Sequence, residues 1–228
     1  MSVLDVGCGR GDVSLLLAEL VGNSGQVIGM DRDDQALEAA AVRAQQLGRS
    51  NLIFLQADLA GPIPDLGALD AVVGRRVLMY LKDPIRSIQL VTRSLRSGGV
   101  VVFQESDSTM APGRLASLPL HDRVNSWIWE TVAREGGNTR IGFSLAAILT
   151  EAGLLVEDVR AEATVQGYGD QHPMATIVRF MKQRTIEQGV ATEAQMDVET
   201  LDQRLREELS PTAIYVSDMA FGIVGRKV

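Results

Sequence analysis

The chain has 228 residues, of which 46% are hydrophobic, and its net charge is −7. This composition is typical of a folded globular chain and excludes a disordered one. Its single cysteine excludes an intrachain disulfide and a multi-cysteine metal site. The acidic charge argues against a large nucleic-acid surface, and no apolar run is long enough to span a membrane. We therefore expect a cytoplasmic enzyme or binding protein with one main domain.

Three glycines at alternate positions, Gly7, Gly9 and Gly11, separate a short apolar strand from an amphipathic helix. In such a turn the backbone comes close to a ligand, and the N–H groups of the helix N-terminus point at it. The glycine spacing differs from the G-x-G-x-x-G fingerprint of dinucleotide-binding proteins. The predicted strand covers residues 3–6, and the predicted helix, residues 13–20, has an apolar stripe of Val13, Leu16, Leu17 and Leu20.

Two acidic residues indicate which ligand the turn binds. Asp5 lies inside the apolar strand, where a carboxylate is unfavourable unless a ligand ammonium or the N–H groups of the loop pair with it. An aminoacyl nucleoside carries an ammonium group, whereas Asp5 would repel a pyrophosphate. Asp31 follows a second predicted strand, residues 26–30, and is positioned to accept hydrogen bonds from ribose hydroxyls. Two successive strand–helix units predict a parallel sheet.

The segment VLDVGCGRG, residues 3–11, resembles motif I of the class I S-adenosylmethionine-dependent methyltransferases, in particular UbiE-like enzymes that act on small molecules. The resemblance implies a transferase with S-adenosylmethionine as its cofactor. Residues 57–59 are similar to the motif in which the acid meets the adenine amino group and the next N–H meets a ring nitrogen. Residues 75–84 are similar to motif IV and its continuation, beside the methionine end of the cofactor. The expected cofactor-binding residues are Asp5, Gly7, Cys8, Gly9, Asp31, Arg32, Asp58, Leu59 and Arg75.

The resemblance also implies an α/β fold. We expect a Rossmann-like, seven-stranded, mostly parallel sheet flanked by helices, with an antiparallel last strand between the fifth and the sixth. All 228 residues would form a single methyltransferase domain. Its core would consist of residues 1–105, 140–165 and 213–228, and a helical cap would consist of residues 106–139 and 166–212.

Helical periodicity predicts three further elements. A helix with the capping residue Asp83 begins at Pro84 and continues through Leu95, before a fifth strand from residue 100. A helix over residues 120–134 has two stripes, the first of which looks like packing. The second stripe includes His121 and is apolar with polar tips, as a small-molecule pocket requires. A single helix over residues 193–209 opens with a capping box.

Methyl transfer is an in-line displacement at a sulfonium, so the protein must align the acceptor and exclude water. An acceptor that loses a proton also needs a base. His121 on the predicted cap helix and Tyr80 after the fourth strand are the candidate catalytic residues, although many relatives carry histidine where Tyr80 stands. The sequence shows no convincing set of metal ligands. Weaker catalytic candidates are His172, Tyr168, Glu105 and Asp107.

We expect methyl transfer from S-adenosylmethionine to an oxygen, nitrogen or carbon atom of a small molecule. A cofactor-binding regulatory subunit without transfer activity and an RNA methyltransferase are the alternatives. A nicotinamide enzyme would need the other glycine spacing and has no use for Asp5. Motif I begins at residue 3, whereas relatives usually carry a preceding segment that covers part of the cofactor cleft. The cap or a partner subunit would then supply that wall, which is compatible with a homodimer.

Overall fold

The computed structural model describes residues 1–110, 112–170 and 172–228. Seven strands form one sheet: β1 (Ser2–Val6), β2 (Gln26–Asp31), β3 (Leu52–Gln56), β4 (Leu69–Arg75), β5 (Leu95–Asp107), β6 (Leu154–Gly167) and β7 (Ile214–Lys227). Their order is β3-β2-β1-β4-β5-β7-β6. β1 pairs in parallel with β2 and β4, β2 with β3, and β4 with β5. The last strand is antiparallel and lies between β5 and β6, so the predicted Rossmann-like sheet is confirmed.

Eight helices connect the strands, together with 3-10 turns at Leu78–Tyr80 and Gly142–Ser144. The helices are α1 (Asp12–Val21), α2 (Asp34–Gln46), α3 (Pro84–Val91), α4 (Pro119–Arg134), α5 (Leu145–Glu151), α6 (Pro173–Glu187), α7 (Glu193–Met196) and α8 (Leu201–Glu208). These counts refer to the described ranges given above. None of the helices there combines the length and the hydropathy that a bilayer span requires.

The chain divides into two compact units. Unit 1 consists of Met1–Glu105, Ile141–Arg160 and Phe221–Val228. Unit 2 consists of Ser106–Arg140 and Ala161–Ala220. The functional division into a core and a cap stays a prediction, because compactness alone does not assign a role to either unit.

The face of α1 that packs inside unit 1 differs from the predicted apolar stripe. Leu16 and Leu20 are 57% and 72% exposed, whereas Ser14, Leu15 and Ala18 are buried. Consecutive leucines fit either of two helix faces, so hydrophobic periodicity alone does not choose between them. The buried face carries Ser14, which makes a polar contact inside the unit. The predicted stripe is wrong, because Leu16 and Leu20 lie on the exposed face.

The helix predicted to reach Leu95 ends four residues earlier, at Val91. Its start is as expected, because Asp83 accepts a hydrogen bond from the N–H of Arg86 and Pro84 stands in the first turn. Leu95 instead begins β5 and pairs with Leu69 of β4, ahead of a register shift. The prediction failed because Leu95 continues the apolar period of the helix while its backbone belongs to the sheet.

Unit 2 is mainly helical, and α4 contacts both α6 and α8. The expected helix at residues 120–134 is confirmed as α4, and its buried face combines both predicted stripes: His121, Val124, Trp127, Ile128, Thr131 and Val132. The single helix predicted over residues 193–209 is wrong. It is divided at Asp197, which adopts a φ of 41°, while Arg204 donates a 2.5 Å hydrogen bond to the carbonyl of Met196. The capping box of Thr192 and Gln195 is present as expected.

Candidate active site

The glycine turn of unit 1 is fastened to the end of β2. The N–H groups of Gly7 and Cys8 both donate to the carbonyl oxygen of Met30, at 2.8 and 3.1 Å. Gly7, Gly9 and Gly11 have φ angles of 66°, 52° and 82°, a region that favours glycine. Gly11 precedes the first residue of α1 and supplies no side-chain cap. The first turn of α1 thus has no side-chain cap from the N-cap residue, and the backbone N–H of Ser14 interacts with the Asp5 carboxylate instead.

The space around each of these glycines shows whether the glycine permits close packing or can face a ligand. A Cβ atom on Gly7 would lie 2.5 Å from Cγ2 of Val77, and one on Gly11 would lie 3.1 Å from Cβ of Ala40. A Cβ atom on Gly9 would meet nothing within 4 Å. Gly7 and Gly11 thus permit close packing inside the unit, whereas Gly9 borders open space.

Asp31 ends β2 and holds the turn through its carboxylate. Its Oδ2 atom accepts a 2.8 Å hydrogen bond from the N–H of Gly9, and its Oδ1 atom accepts one of 3.0 Å from the N–H of Asp33. Each carboxylate oxygen has two lone pairs, so Asp31 can still accept hydrogen bonds from a ligand. The structure therefore brings together two residues that the sequence assigned to cofactor binding.

Asp5 is 1% exposed in the middle of β1. Its Oδ2 atom accepts a 2.5 Å hydrogen bond from the hydroxyl of Ser14. Burial raises the pKa of Asp5 to about 7, against the lowering effects of Ser14 and Arg75. Gly29 leaves room for this contact, because a Cβ atom there would lie 2.9 Å from the Ser14 hydroxyl oxygen. Sequence reasoning missed Ser14, a polar residue on a helix whose other inward positions are apolar.

The turn after β3 contains Asp58 and Leu59 and lies next to the end of β2. The N–H of Ala57 donates to the carbonyl of Asp31 at 2.9 Å, which connects this turn to the residue predicted to bind the ribose. Asp58 is exposed, and its Oδ1 atom accepts a 2.9 Å hydrogen bond from the N–H of Ala60. The buried hydroxyl of Ser87 donates to the carbonyl of Leu59 at 2.9 Å. Ser87 is a second supporting residue that the sequence did not reveal.

Glu105 anchors the segment that follows β4. Its buried Oε1 atom accepts hydrogen bonds from the N–H groups of Val77 and Leu78, at 3.0 and 2.8 Å. Burial raises the pKa of Glu105 to about 7, against the lowering effect of these N–H groups. Since Val77 also packs beside Gly7, Glu105 supports one side of the glycine turn. The expected chemical role of Glu105 as a weaker base candidate is not tested by these contacts.

The other candidates of unit 1 are positioned as follows. Arg75 ends β4 and is exposed, Arg32 is exposed after β2, and Tyr80 is 39% exposed in a 3-10 turn. Cys8 is buried, and burial raises the pKa of its thiol, so Cys8 fills space in the turn and is not an activated nucleophile. Within the described ranges, no three His, Cys, Asp or Glu side chains form a group that could hold a metal ion.

His121, the second catalytic candidate, is fully buried in unit 2 near the start of α4. Its Nδ1 atom lies 2.7 Å from Oε2 of Glu208. Glu208 also accepts hydrogen bonds from the N–H groups of Leu120 and His121, at 2.7 and 3.0 Å. Burial raises the pKa of Glu208, but these three hydrogen bonds outweigh it and hold the pKa below its usual value. The ionised carboxylate therefore caps α4 and orients the imidazole.

The remaining candidates, also in unit 2, differ in burial. His172 is 1% exposed, and its Nδ1 atom lies 2.8 Å from Oε1 of Gln166. Tyr168 is 49% exposed. Asp107 is buried and accepts a 2.8 Å hydrogen bond from the N–H of Thr109, as expected of a polar residue where the chain leaves the sheet.

A family model described as methyltransferase domain matches residues 1–153, about two thirds of the chain. The matched region contains the glycine turn, Asp31, Asp58 and Arg75. The chain belongs to this methyltransferase family. The expected class, the S-adenosylmethionine-dependent methyltransferases of class I, is thereby confirmed.

Individual methyltransferases are similar to parts of the chain. Demethylmenaquinone methyltransferase from Lactococcus lactis subsp. lactis is 33% identical over 112 residues, which are 49% of this chain and 44% of that protein. Trans-aconitate 2-methyltransferase from Rhizobium rhizogenes is 36% identical over 112 residues, which are 49% of this chain and 41% of that protein. The chain thus spans less than half the length of these curated relatives.

The crystal structure of the YcgJ protein from Bacillus subtilis has the same fold. It superimposes with a TM-score of 0.62 at 18% identity, covering 99% of this chain and 91% of that one. At this identity the likeness concerns the fold alone, and it agrees with the Rossmann-like methyltransferase architecture described above.

Proposed function

We propose that this methyltransferase chain binds S-adenosylmethionine in unit 1 and transfers its methyl group to a small-molecule acceptor. The observation that carries the proposal is the hydrogen bond from the Gly9 N–H to Asp31 Oδ2 beside the open side of Gly9. It joins the loop motif of the family to the acid that follows β2. A ligand with a ribose and an aminoacyl group would use both elements together.

Each part of the cofactor has an assigned contact in this proposal. The N-terminus of α1 and the glycine turn would hold the carboxylate of the methionine portion, and Asp5 would hold its ammonium group. Asp31, with Arg32 beside it, binds the ribose hydroxyls. Asp58 would accept a hydrogen bond from the adenine amino group, and the N–H of Leu59 would donate to a ring nitrogen. Arg75 flanks the methionine end, while Gly7, Cys8 and Gly9 form the turn.

His121 and Tyr80 are the proposed catalytic residues. In transfer to a protic acceptor, one of them takes the proton of the attacking atom. The contact of His121 with Glu208 supports its assignment, because an oriented and buried imidazole has a defined nitrogen left for the acceptor. The position of Tyr80 shortly after β4, in the segment that follows Arg75, supports its assignment. A homodimer also stays a prediction, and light scattering after size exclusion would measure it.

Turnover tests the proposal directly. The purified chain is incubated with S-adenosylmethionine and a panel of phenols, enols, amines and carboxylic acids, and formation of S-adenosylhomocysteine is followed by chromatography. Acceptor-dependent product supports a methyltransferase of small molecules. Cofactor binding without product from any acceptor supports the regulatory alternative, and product with RNA alone supports the RNA alternative. Absence of cofactor binding overturns the proposal.

A further inference from the structure

β6 is an edge strand of the sheet. It is the last strand in the sheet order and has β7 as its neighbour on one side. On its other side no further strand follows in the described part of the chain, so β6 presents a row of backbone N–H and C=O groups that no strand pairs with there. Natural proteins protect such an edge or use it to pair with another chain.

The middle of β6 is exposed on both faces. Residues 159–165 are all exposed, and the largest apolar side chains among them, Val159 and Val165, are 47% and 55% exposed. Side chains alternate between the two faces of a strand. One face of this segment is therefore apolar and the other polar: Val159, Ala161, Ala163 and Val165 lie on the first, and Arg160, Glu162 and Thr164 lie on the second. An exposed edge of this composition is a surface on which another strand can pair.

The charges of this segment suit a second copy of the same strand. In an antiparallel pair related by a two-fold axis, one residue lies opposite its own copy, and its two neighbours lie opposite each other. With Ala161 on the axis, Arg160 of each copy lies opposite Glu162 of the other. Opposite charges at directly opposed positions stabilise a strand pair. The symmetry produces this contact twice.

The neighbouring registers lack this match. With Arg160 on the axis, the arginine would lie opposite its own copy, and with Glu162 on the axis two glutamates would meet. Like charges at opposed positions are destabilising. With Ala163 on the axis, Arg160 would lie opposite Gln166, a buried side chain that contacts Nδ1 of His172. The charge pattern therefore favours the register that is centred on Ala161.

The present ion pair of Arg160 leaves room for this contact. Nε of Arg160 lies 2.6 Å from Oδ2 of Asp158, on the same face of the strand, and the two side chains are 74% and 43% exposed. Ion pairs as exposed as this one contribute little to stability. A guanidinium group has five N–H donors, so Arg160 can bind Asp158 of its own strand and Glu162 of a second copy together.

We propose that this chain forms a two-fold symmetric dimer through the outer edge of β6, with Ala161 on the axis. The edge is occupied by a second copy of the chain, paired antiparallel over residues 158–164. The free backbone groups then form ladder hydrogen bonds, and Val159 packs beside Ala163 of the second copy. The inference deepens the homodimer prediction of the proposed function by naming its surface, and it involves none of the residues assigned to the cofactor.

Charge reversal tests the pairing. The full-length chain is studied by size exclusion with light scattering over a range of concentrations, which gives the dissociation constant of the dimer. Arg160→Glu and Glu162→Arg are each made alone and then together in one chain. Arg93→Glu, which reverses an exposed charge outside β6, is the matched control. Circular dichroism confirms that each variant is folded.

The wild type should be a dimer. Each single reversal replaces two opposite-charge contacts by two like-charge contacts and should weaken the dimer at least about tenfold. The double variant restores opposite charges and should regain the affinity of the wild type, which Arg93→Glu should retain. A monomeric wild type, or a dimer that both single reversals leave unchanged, would overturn the inference.

An introduced cysteine tests the register. Cys8, the one native cysteine, is buried and does not compete. In Ala161→Cys the two cysteines lie opposite each other with Cα atoms about 5 Å apart, within the reach of a disulfide. In Ala163→Cys they are offset along the strands by about 13 Å and cannot be bridged. Mild oxidation should therefore cross-link Ala161→Cys only, as measured by gel electrophoresis without reductant, and the absence of this cross-link or its presence in Ala163→Cys would overturn the register.

Titration with S-adenosylhomocysteine separates this inference from the proposed methyl transfer. All of these variants should bind the nucleoside as the wild type does, because the substitutions lie outside the residues assigned to the cofactor. A chain that dimerises in the expected register but binds no nucleoside would contradict the proposed function alone. Nucleoside binding by a chain that stays monomeric would contradict the dimer surface alone.

Discussion

The hydroxyl of Ser14 donates a 2.5 Å hydrogen bond to Asp5 Oδ2, which ties the first turn of α1 to the middle of β1. Both side chains are buried. The contact orients the acid of the family's loop motif. It only partly offsets the cost of burying a carboxylate, because the pKa of Asp5 is still raised to about 7. Asp5 therefore exchanges its proton near neutral pH.

The raised pKa of Asp5 predicts a pH dependence of stability. Unfolding returns the pKa to its ordinary value of 3.8, so between pH 3.8 and about 7 the folded chain binds more protons than the unfolded one. The contribution of Asp5 to stability is fully present below pH 3.8 and is lost as the pH rises through about 7. Asp5→Asn has no titrating group at this position and should lack this pH dependence. Above pH 7, where the wild type has lost the contribution of Asp5, the variant should be the more stable protein, by roughly 1–3 kcal/mol.

Urea unfolding of the wild type and of Asp5→Asn across this pH range measures the effect. Asp65→Asn, a change of an exposed loop residue, is the control and should leave the wild-type curve unchanged. Parallel stability curves for the wild type and Asp5→Asn would show that Asp5 does not titrate as described. Glu105, whose pKa is also raised to about 7, contributes a slope of the same sign in both proteins.

Substitutions in the glycine turn should separate packing from ligand contact. Gly7→Ala places a Cβ atom 2.5 Å from Val77 at a positive φ, so we expect a loss of about 2–4 kcal/mol in unfolding free energy. Gly9→Ala meets no neighbour and should cost only about 1–2 kcal/mol from backbone strain. It should nevertheless weaken S-adenosylmethionine binding, because the added methyl group points into the open space beside the loop that the cofactor is proposed to occupy. Equal affinity of Gly9→Ala and the wild type would contradict the ligand-facing role.

Glu105→Ala and Glu105→Gln should differ in stability. The alanine variant leaves the buried N–H groups of Val77 and Leu78 without an acceptor, at about 1–3 kcal/mol for each. The glutamine variant keeps a carbonyl oxygen at the same position and should lose less. Chemical denaturation measures both values. Because the supported segment packs beside Gly7, the alanine variant should also show a lower cofactor affinity, and an unchanged affinity would mean that this support does not reach the turn.

Replacement of Glu208 should affect both the start of α4 and the tautomer of His121. Glu208→Ala removes the acceptor of the Leu120 and His121 N–H groups, and we expect a loss of about 1–2 kcal/mol, as for other helix caps. Glu207→Ala, which changes the exposed neighbour, is the matched control. Imidazole NMR should show that the proton of His121 leaves Nδ1 in Glu208→Ala only. Retention of the proton at Nδ1 would contradict the positioning role of Glu208.

The sequence-based predictions of cofactor-binding residues rest on local signals. Asp5, the glycines and Asp31 lie within the first 31 residues, and their signals are an acid inside an apolar strand, a glycine turn and an acid at a strand end. The supporting contacts lie further apart. Ser87 bonds to Leu59 across 28 positions, and Glu208 bonds to His121 across 87. Only the folded backbone brings such pairs together, so no spacing rule could reveal them.

The wrong predictions about the fold have a related cause. Leu95 continues a helical period, but its backbone pairs with β4. The segment after Met196 also continues a helical period, but the chain turns at Asp197. At Leu95 a contact with a distant strand overrides a local preference, whereas the turn at Asp197 arises within the segment itself. On α1 the buried face carries Ser14, which bonds to Asp5, together with Leu15 and Ala18, whereas Leu16 and Leu20 are exposed.

The most direct test of the account is calorimetric titration of the wild type, Asp31→Ala and Asp34→Ala with S-adenosylhomocysteine. The wild type and the exposed control Asp34→Ala should bind equally. Asp31→Ala, which loses both the proposed ribose acceptor and the partner of the Gly9 N–H, should bind at least about tenfold more weakly while remaining folded. An affinity of Asp31→Ala equal to that of the wild type, or no binding by the wild type, would contradict the assignment of this turn to the cofactor.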